Sequence, residues 1–328
     1  MKNKIIFTNG LIDLAQPRLG SRVIYKTDDF FAPANRIINP SPPVFKEGLF
    51  NKNGKWMDGW ESRRKRISGH DYIILKLGKP GKISKIDVDT SHFNGNQPAM
   101  VSIEGANSNS NNINQLKWQS LLSKKKTKSD SHHYFFVNSK KIFTHIKFNI
   151  FPDGGVARLR LYGSIAKSNK YKNKKINLGS LLEGASVIAC NNEHFGKAEN
   201  ILAPGKARNM GDGWETRRRR GKGNDWLILN SIDGKEIDKI EISTHHFKGN
   251  FPSHCSLQAA YLSSSKSSKQ IVNSSIKWKY LLKNTKLLAN KIHVFKNVLM
   301  KKEKINYIKI NIFPDGGISR FKIFGKKI

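Results

Sequence analysis

Two cysteines are all that 328 residues contain. Cys190 and Cys255 have no partners at a metal-ligating spacing and do not form a disulfide framework, so the chain reads as a protein of a reducing compartment. Long apolar runs are also missing. The opening MKNKIIFTNG has a three-residue apolar run before a polar turn, too short for a signal peptide, and nothing approaches the ~20 residues needed to cross a bilayer. The expectation is a cytoplasmic protein without membrane partners. P-loop, dinucleotide fingerprint and nucleophile elbow are absent too, which removes three enzyme classes at once. Acidic residues are scarce: 24 against 59 basic ones, a net charge of +35. Such an excess suggests nucleic acid, but 45 of the cations are lysines scattered among Asn and Ile, and only 14 are arginines. Seven of those arginines fall in two short clusters, with one Trp each and no further interleaved aromatics, so no nucleic-acid partner is expected.

Those clusters lead to what the chain does have. Asp58-Gly59-Trp60-Glu61-Ser62-Arg63-Arg64-Lys65-Arg66 returns 154 positions later as Asp212-Gly213-Trp214-Glu215-Thr216-Arg217-Arg218-Arg219-Arg220. Asp71-Tyr72 becomes Asp225-Trp226, and the stretch from Thr90 to Asn96 becomes Thr244 to Asn250. Upstream the offset is 164, so the first copy carries ten extra residues between Pro40 and Asp58. It grows to 160 and then 162 downstream, where Ile150-Phe151-Pro152-Asp153-Gly154-Gly155 matches Ile312-Phe313-Pro314-Asp315-Gly316-Gly317 and Arg158 matches Arg320. A period of this size means duplicated domains of ~150 residues rather than a solenoid. The boundaries predicted are 1–165 for the first repeat, 166–175 for a polar linker and 176–328 for the second.

Short alternating segments predict strands at 72–77, 85–89, 145–150 and 157–162, and at their counterparts 226–229, 239–243, 307–312 and 319–324. Gly78-Lys79-Pro80-Gly81 and both Pro-Asp-Gly-Gly runs read as turns. Short helices are expected around Trp118–Leu122 and at the matching Trp278. The fold class is all-β, an antiparallel sandwich in each half.

Polar residues carry the echo more faithfully than apolar ones. Four adjacent cations repel one another unless anions lie close, and guanidinium grips carboxylate bidentately. Arg217, Arg218 and Arg220, with Arg63 and Arg64 in the first copy, are therefore candidate substrate contacts. Lys248 and His245 join them. His246 and His92 each follow a strand and precede a Gly-containing turn, a placement suited to general acid–base work. Glu215 and Asp315, with Glu61 and Asp153 in the first copy, are candidate acceptors. A divalent metal stays open as an alternative for the histidines, but no second ligand sits at a diagnostic spacing, so neither metal nor cofactor is assigned. His133 and His293 read as core-edge histidines, and Trp60 and Trp214 as core or pocket wall.

The strings DGWETRRRR, NDW opening a strand, THHFKGNFP and the twice-used FPDGG resemble the allantoicase (allantoate amidinohydrolase) family over nearly the whole chain. The second copy is the nearer match, since the first departs at Ser62, Lys65, Ser91, Asn94 and Gln97. The resemblance implies two β-sandwiches of jelly-roll, galactose-binding-like character, homo-oligomers, and hydrolysis of allantoate to ureidoglycolate and urea in purine breakdown. The competing expectation is a tandem, non-catalytic carbohydrate- or ligand-binding module, which would need exposed aromatics where this chain keeps Arg, Glu, His and Asp.

Overall fold

A computed structural model describes residues 5–110, 112–263 and 265–328. The chain forms two compact units: Ile12–Ala166, and Lys167–Ile328 together with the stretch up to Leu11.

In the unit Ile12–Ala166 one strand, Asp71–Asp89, is 19 residues long and belongs to both layers of the sandwich. Its first part pairs with Arg22–Lys26 and Phe143–Phe151. Its second part pairs with His132–Phe136 and Arg158–Ile165. Every pairing is antiparallel, and Met100–Ala106 and Gln119–Lys126 extend the first layer. Alternation puts Ile73, Leu75, Ile86 and Val88 of the long strand inward, against Ile103, Ile146, Phe148, Leu159 and Leu161, all fully buried. The Gly78–Gly81 stretch, expected to end a strand, is instead the bend where it changes layers. A Cβ on Gly78 would stand 2.0 Å from the Leu19 carbonyl oxygen, so only glycine allows that approach.

The second unit repeats the plan around Asp225–Ser243, which pairs first with Ser186–Cys190 and Ile305–Phe313, then with Ile292–Phe295 and Arg320–Lys327. The short strand Ile6–Phe7 joins this unit, with Ile6 opposite Cys190.

The helices expected around Trp118 and Trp278 are strands, Gln119–Lys126 and Lys279–Lys286. Each lies beside a sheet that satisfies its backbone groups directly, whereas a five-residue helix would bear the full nucleation cost. Clustered lysines keep these edges from recruiting other strands. The α-helix present among the described residues, Ser268–Ser274, begins with a reciprocal capping box between Ser267 and Gln270.

Candidate functional site

In each unit the three echoed motifs meet at one end of the sandwich. Trp214–Glu215 is a two-residue strand against Gly317–Ile318, as Trp60–Glu61 is against Gly155–Val156. Both indoles are fully buried and donate their N–H to a backbone carbonyl 2.8 Å away, Asn192 and Asp28 respectively. The pairing demands glycine, because a Cβ on Gly317 would lie 2.0 Å from the Phe247 ring and one on Gly155 1.9 Å from Phe93.

The motif carboxylates hold the motifs together. Glu215 accepts a hydrogen bond from Asn250, and Glu61 one from Asn96 at 2.8 Å. Burial pushes the Glu61 carboxyl above its usual range, and the Asn96 bond offsets only part of this. Asp315 accepts the Arg219 backbone N–H at 2.7 Å, as Asp153 accepts that of Lys65. Asp212 binds Arg320 through Nη2 at 2.9 Å, and Asp58 binds Arg158 at 2.7 Å.

Of the arginine run, Arg217, Arg218 and Arg220 are exposed, and so are Arg63, Arg64 and Lys248. The residue drawn inward is Arg219, whose guanidinium pairs with the fully buried Asp225. Lys65 does the same to Asp71 at 2.6 Å. The copies diverge at the first arginine: Arg63 bonds Asp28, Nε to Oδ2 at 2.7 Å, whereas the matching acceptor near Arg217 is Asn192. Sequence reasoning assigned no role to Asp225, Asp212 and Asn250, although each stands in the doubled pattern.

The histidines divide by role. His133 accepts the Lys128 N–H at Nε2 (2.8 Å), so its Nδ1–H donates to the Val88 carbonyl (2.9 Å), and His293 is held in the same way. Both are structural. His246 and His92 occupy left-handed backbone conformations, φ 73° and 70°, with their N–H groups donated to Asn290 and Asp130. His246 donates Nε2–H to the Ala207 carbonyl at 2.9 Å. His245 lies against it, ring centroids 3.9 Å apart.

His245 lines a cavity of about 90 Å³ on the outer face of the second unit's sheet, together with Lys206, Glu241, Ser243, Arg320 and Lys322. Desolvation holds the His245 imidazole below its usual value, and the neighbouring His246 and Lys206 lower it further. Burial alone would raise Glu241, but hydrogen bonds from Lys239 and Lys322 more than offset that and keep it low. The cavity therefore combines a neutral imidazole, an ionised carboxylate and three cations. Arg217, Arg218, Arg220, Glu215, Asp315 and Lys248 do not line this cavity. Both cysteines are buried, with thiols pushed up to about 12, chiefly by desolvation. Among the described residues no three His, Cys, Asp or Glu side chains gather as metal ligands, and no helix is long and apolar enough to cross a membrane.

These features define a class: a duplicated β-sandwich protein with a small cavity lined by charged side chains. The chain belongs to the allantoicase family, whose allantoicase repeat matches residues 12–166 and again 176–328. It is 46% identical over 318 residues to a probable allantoicase of Acinetobacter baumannii (strain SDF), covering 97% of this chain and 94% of that one. A probable allantoicase of Pseudomonas fluorescens (strain SBW25) is also 46% identical over 318 residues, 96% of each chain. The crystal structure of allantoicase from Saccharomyces cerevisiae is similar with a TM-score of 0.82 at 31% identity, covering 97% of this chain and 94% of that one.

Proposed function

We propose that this protein hydrolyses allantoate to ureidoglycolate and urea, and that the cavity of the second repeat is where it does so. The carrying observation is His245 set beside Lys206, Arg320 and Lys322 in one small cavity, within a chain of the allantoicase family. Allantoate is a carboxylate with two ureido groups on one carbon. The three cations attract and orient the carboxylate, and Glu241 accepts a ureido N–H. Neutral His245 takes the N–H proton of the ureido group that stays while the C–N bond to the other breaks. A C=N bond forms to the ureido group that stays, His245 returns the proton to the leaving nitrogen, which departs as urea, and water then adds across the C=N bond to give ureidoglycolate. His246 positions His245 and, through Ala207, fixes the cavity wall. Glu215, Asp315 and Arg219 keep the surrounding loops in register.

The non-catalytic sugar-binding reading is not favoured, since the relatives at this identity and coverage are allantoicases and the cavity offers charged groups rather than an aromatic platform. The buried thiols suit work in the cytoplasm, and by family resemblance the working form is a homo-oligomer. The test is urea and ureidoglycolate formation from allantoate by purified protein. Both products are expected in equal amounts, and a folded protein that releases no urea refutes the proposal.

A further inference from the structure

Resting on that reading, we infer that the first repeat carries a built-in substitute for the ligand. Its Ser41–Lys55 insertion fills the site that is open in the second repeat, so each chain has one substrate site. The Ser41 carbonyl marks where the substrate carboxylate binds, beside Arg320 and Lys322.

The two sites correspond strand for strand. In the first repeat Arg158 lies opposite Asp89 and Arg160 opposite Asp87. In the second Arg320 lies opposite Ser243 and Lys322 opposite Glu241. Those four second-repeat residues all line the cavity. Of their first-repeat counterparts, Arg158 and Arg160 both reach the Ser41 carbonyl, whereas Arg320 shares only the neighbouring contact, donating Nη2–H to the Lys206 carbonyl at 3.4 Å as Arg158 does to Pro42. Arg158 donates Nε–H to the Ser41 carbonyl at 2.9 Å and Nη2–H to that of Pro42 at 3.3 Å, and Arg160 donates Nη2–H to the same Ser41 oxygen at 3.2 Å. One carbonyl oxygen thus bridges two guanidinium groups.

The plug is fastened along its length. Val44 N–H donates to Asp58 at 3.0 Å, and the Phe45 ring lies 5.8 Å from that of His92 under the Lys55 ammonium. A small hairpin, Phe50–Asn51 against Gly54–Lys55, closes it, and Asn53 donates to the Phe30 carbonyl. Chemistry has left the first site as well: Ser91 stands where the second repeat has His245. His132, in place of Ile292, bonds Asp87 at 3.0 Å. In the second repeat the shorter loop turns at Gly205, with φ +73°, and supplies Lys206 and Ala207 as wall rather than filling.

An oxygen held by two cationic side chains is a neutral stand-in for a carboxylate, which makes the same hydrogen bonds more strongly. This assigns Lys322, with Arg320, to the carboxylate of allantoate. Arg320 also anchors Asp212 and is buried, whereas the Lys322 side chain is 39% exposed and can be replaced without opening the core.

The test pairs binding with kinetics. N-carbamoylglycine, which has the carboxylate and one ureido group, is titrated into the full-length protein by calorimetry. One site per chain is expected in the unaltered protein and a second after ten residues of the insertion are deleted. Two sites in the unaltered protein overturn the plug. Lys322→Met is expected to raise KM for allantoate at least tenfold with kcat within about threefold, while Arg160→Met in the first repeat changes neither. An unchanged KM in folded Lys322→Met removes the subsite while leaving the hydrolase reading intact. Absence of urea from the unaltered protein refutes the hydrolase reading on its own account.

Discussion

The pair formed by Arg219 and Asp225 allows a quantitative test of how the arginine run is used. Asp225 is fully buried, and besides Arg219 its Oδ1 receives the amide of Asn191 at 3.0 Å. Arg219→Met keeps the aliphatic bulk but leaves that carboxylate without its counter-charge. Breaking a buried pair from one side costs ~3–5 kcal/mol. Since the Arg219 side chain is 17% exposed, water moderates the loss to about 3 kcal/mol. For a unit of this size that lowers Tm by roughly 6–12 °C. The double variant Arg219→Met with Asp225→Asn is expected to recover at least half of the loss, because the orphaned charge is gone. Scanning calorimetry on the single and double variants completes the cycle. A single variant that melts within 1 °C of the parent, or a coupling below about 0.5 kcal/mol, refutes the argument that burial of Asp225 selects this arginine from the four.

Three further outcomes follow from other parts of the structure. Because His245 must be neutral to accept a proton and its pKa is lowered, kcat/KM stays high as pH falls below the ordinary imidazole value of about 6.5 and drops only at a more acidic pH. Lys206→Met removes a repelling cation and moves that limb upward, so a limb unmoved in the pH profile refutes the assignment. His245→Gln is expected to lower kcat/KM by about 10²–10⁴ with Tm unchanged, and a loss under threefold removes it from the proton path. Gly317→Ala forces a methyl into the Phe247 ring and is expected to cost about 1–3 kcal/mol, read as a lower denaturation midpoint in urea.

Much of this architecture is legible in the residue order, for identifiable reasons. Period-two alternation marks the strands at 85–89 and 239–243 because each has one face in the core. The doubled Trp-Glu, His-Phe and Pro-Asp-Gly-Gly strings flag the end of the sandwich because their polar atoms bond one another across the motifs. Four consecutive arginines look alike in sequence, and the choice of Arg219 depends on where folding puts Asp225 and Asp315. The strand at Gln119–Lys126 depends on a neighbouring ladder that no five-residue window contains. The helix Ser268–Ser274, which starts from the Ser267–Gln270 capping box, lies upstream of the Trp278 around which a helix is expected. The ten-residue difference is visible when the copies are aligned, but its seat over Arg158 and Arg160 is a fact of three dimensions.

The strand at Ile6–Phe7 has a consequence for how the molecule is made. Its partner, Ala189–Cys190, lies more than 180 residues downstream. On a ribosome adding ~5–20 residues per second, the wait is roughly 10–40 s. The first repeat is synthesised in full before that partner is, so Ile6–Phe7 has no strand to pair with throughout that time. Ile6–Phe7 is thus fixed only once the second repeat follows, and removing it strips an edge strand from that repeat.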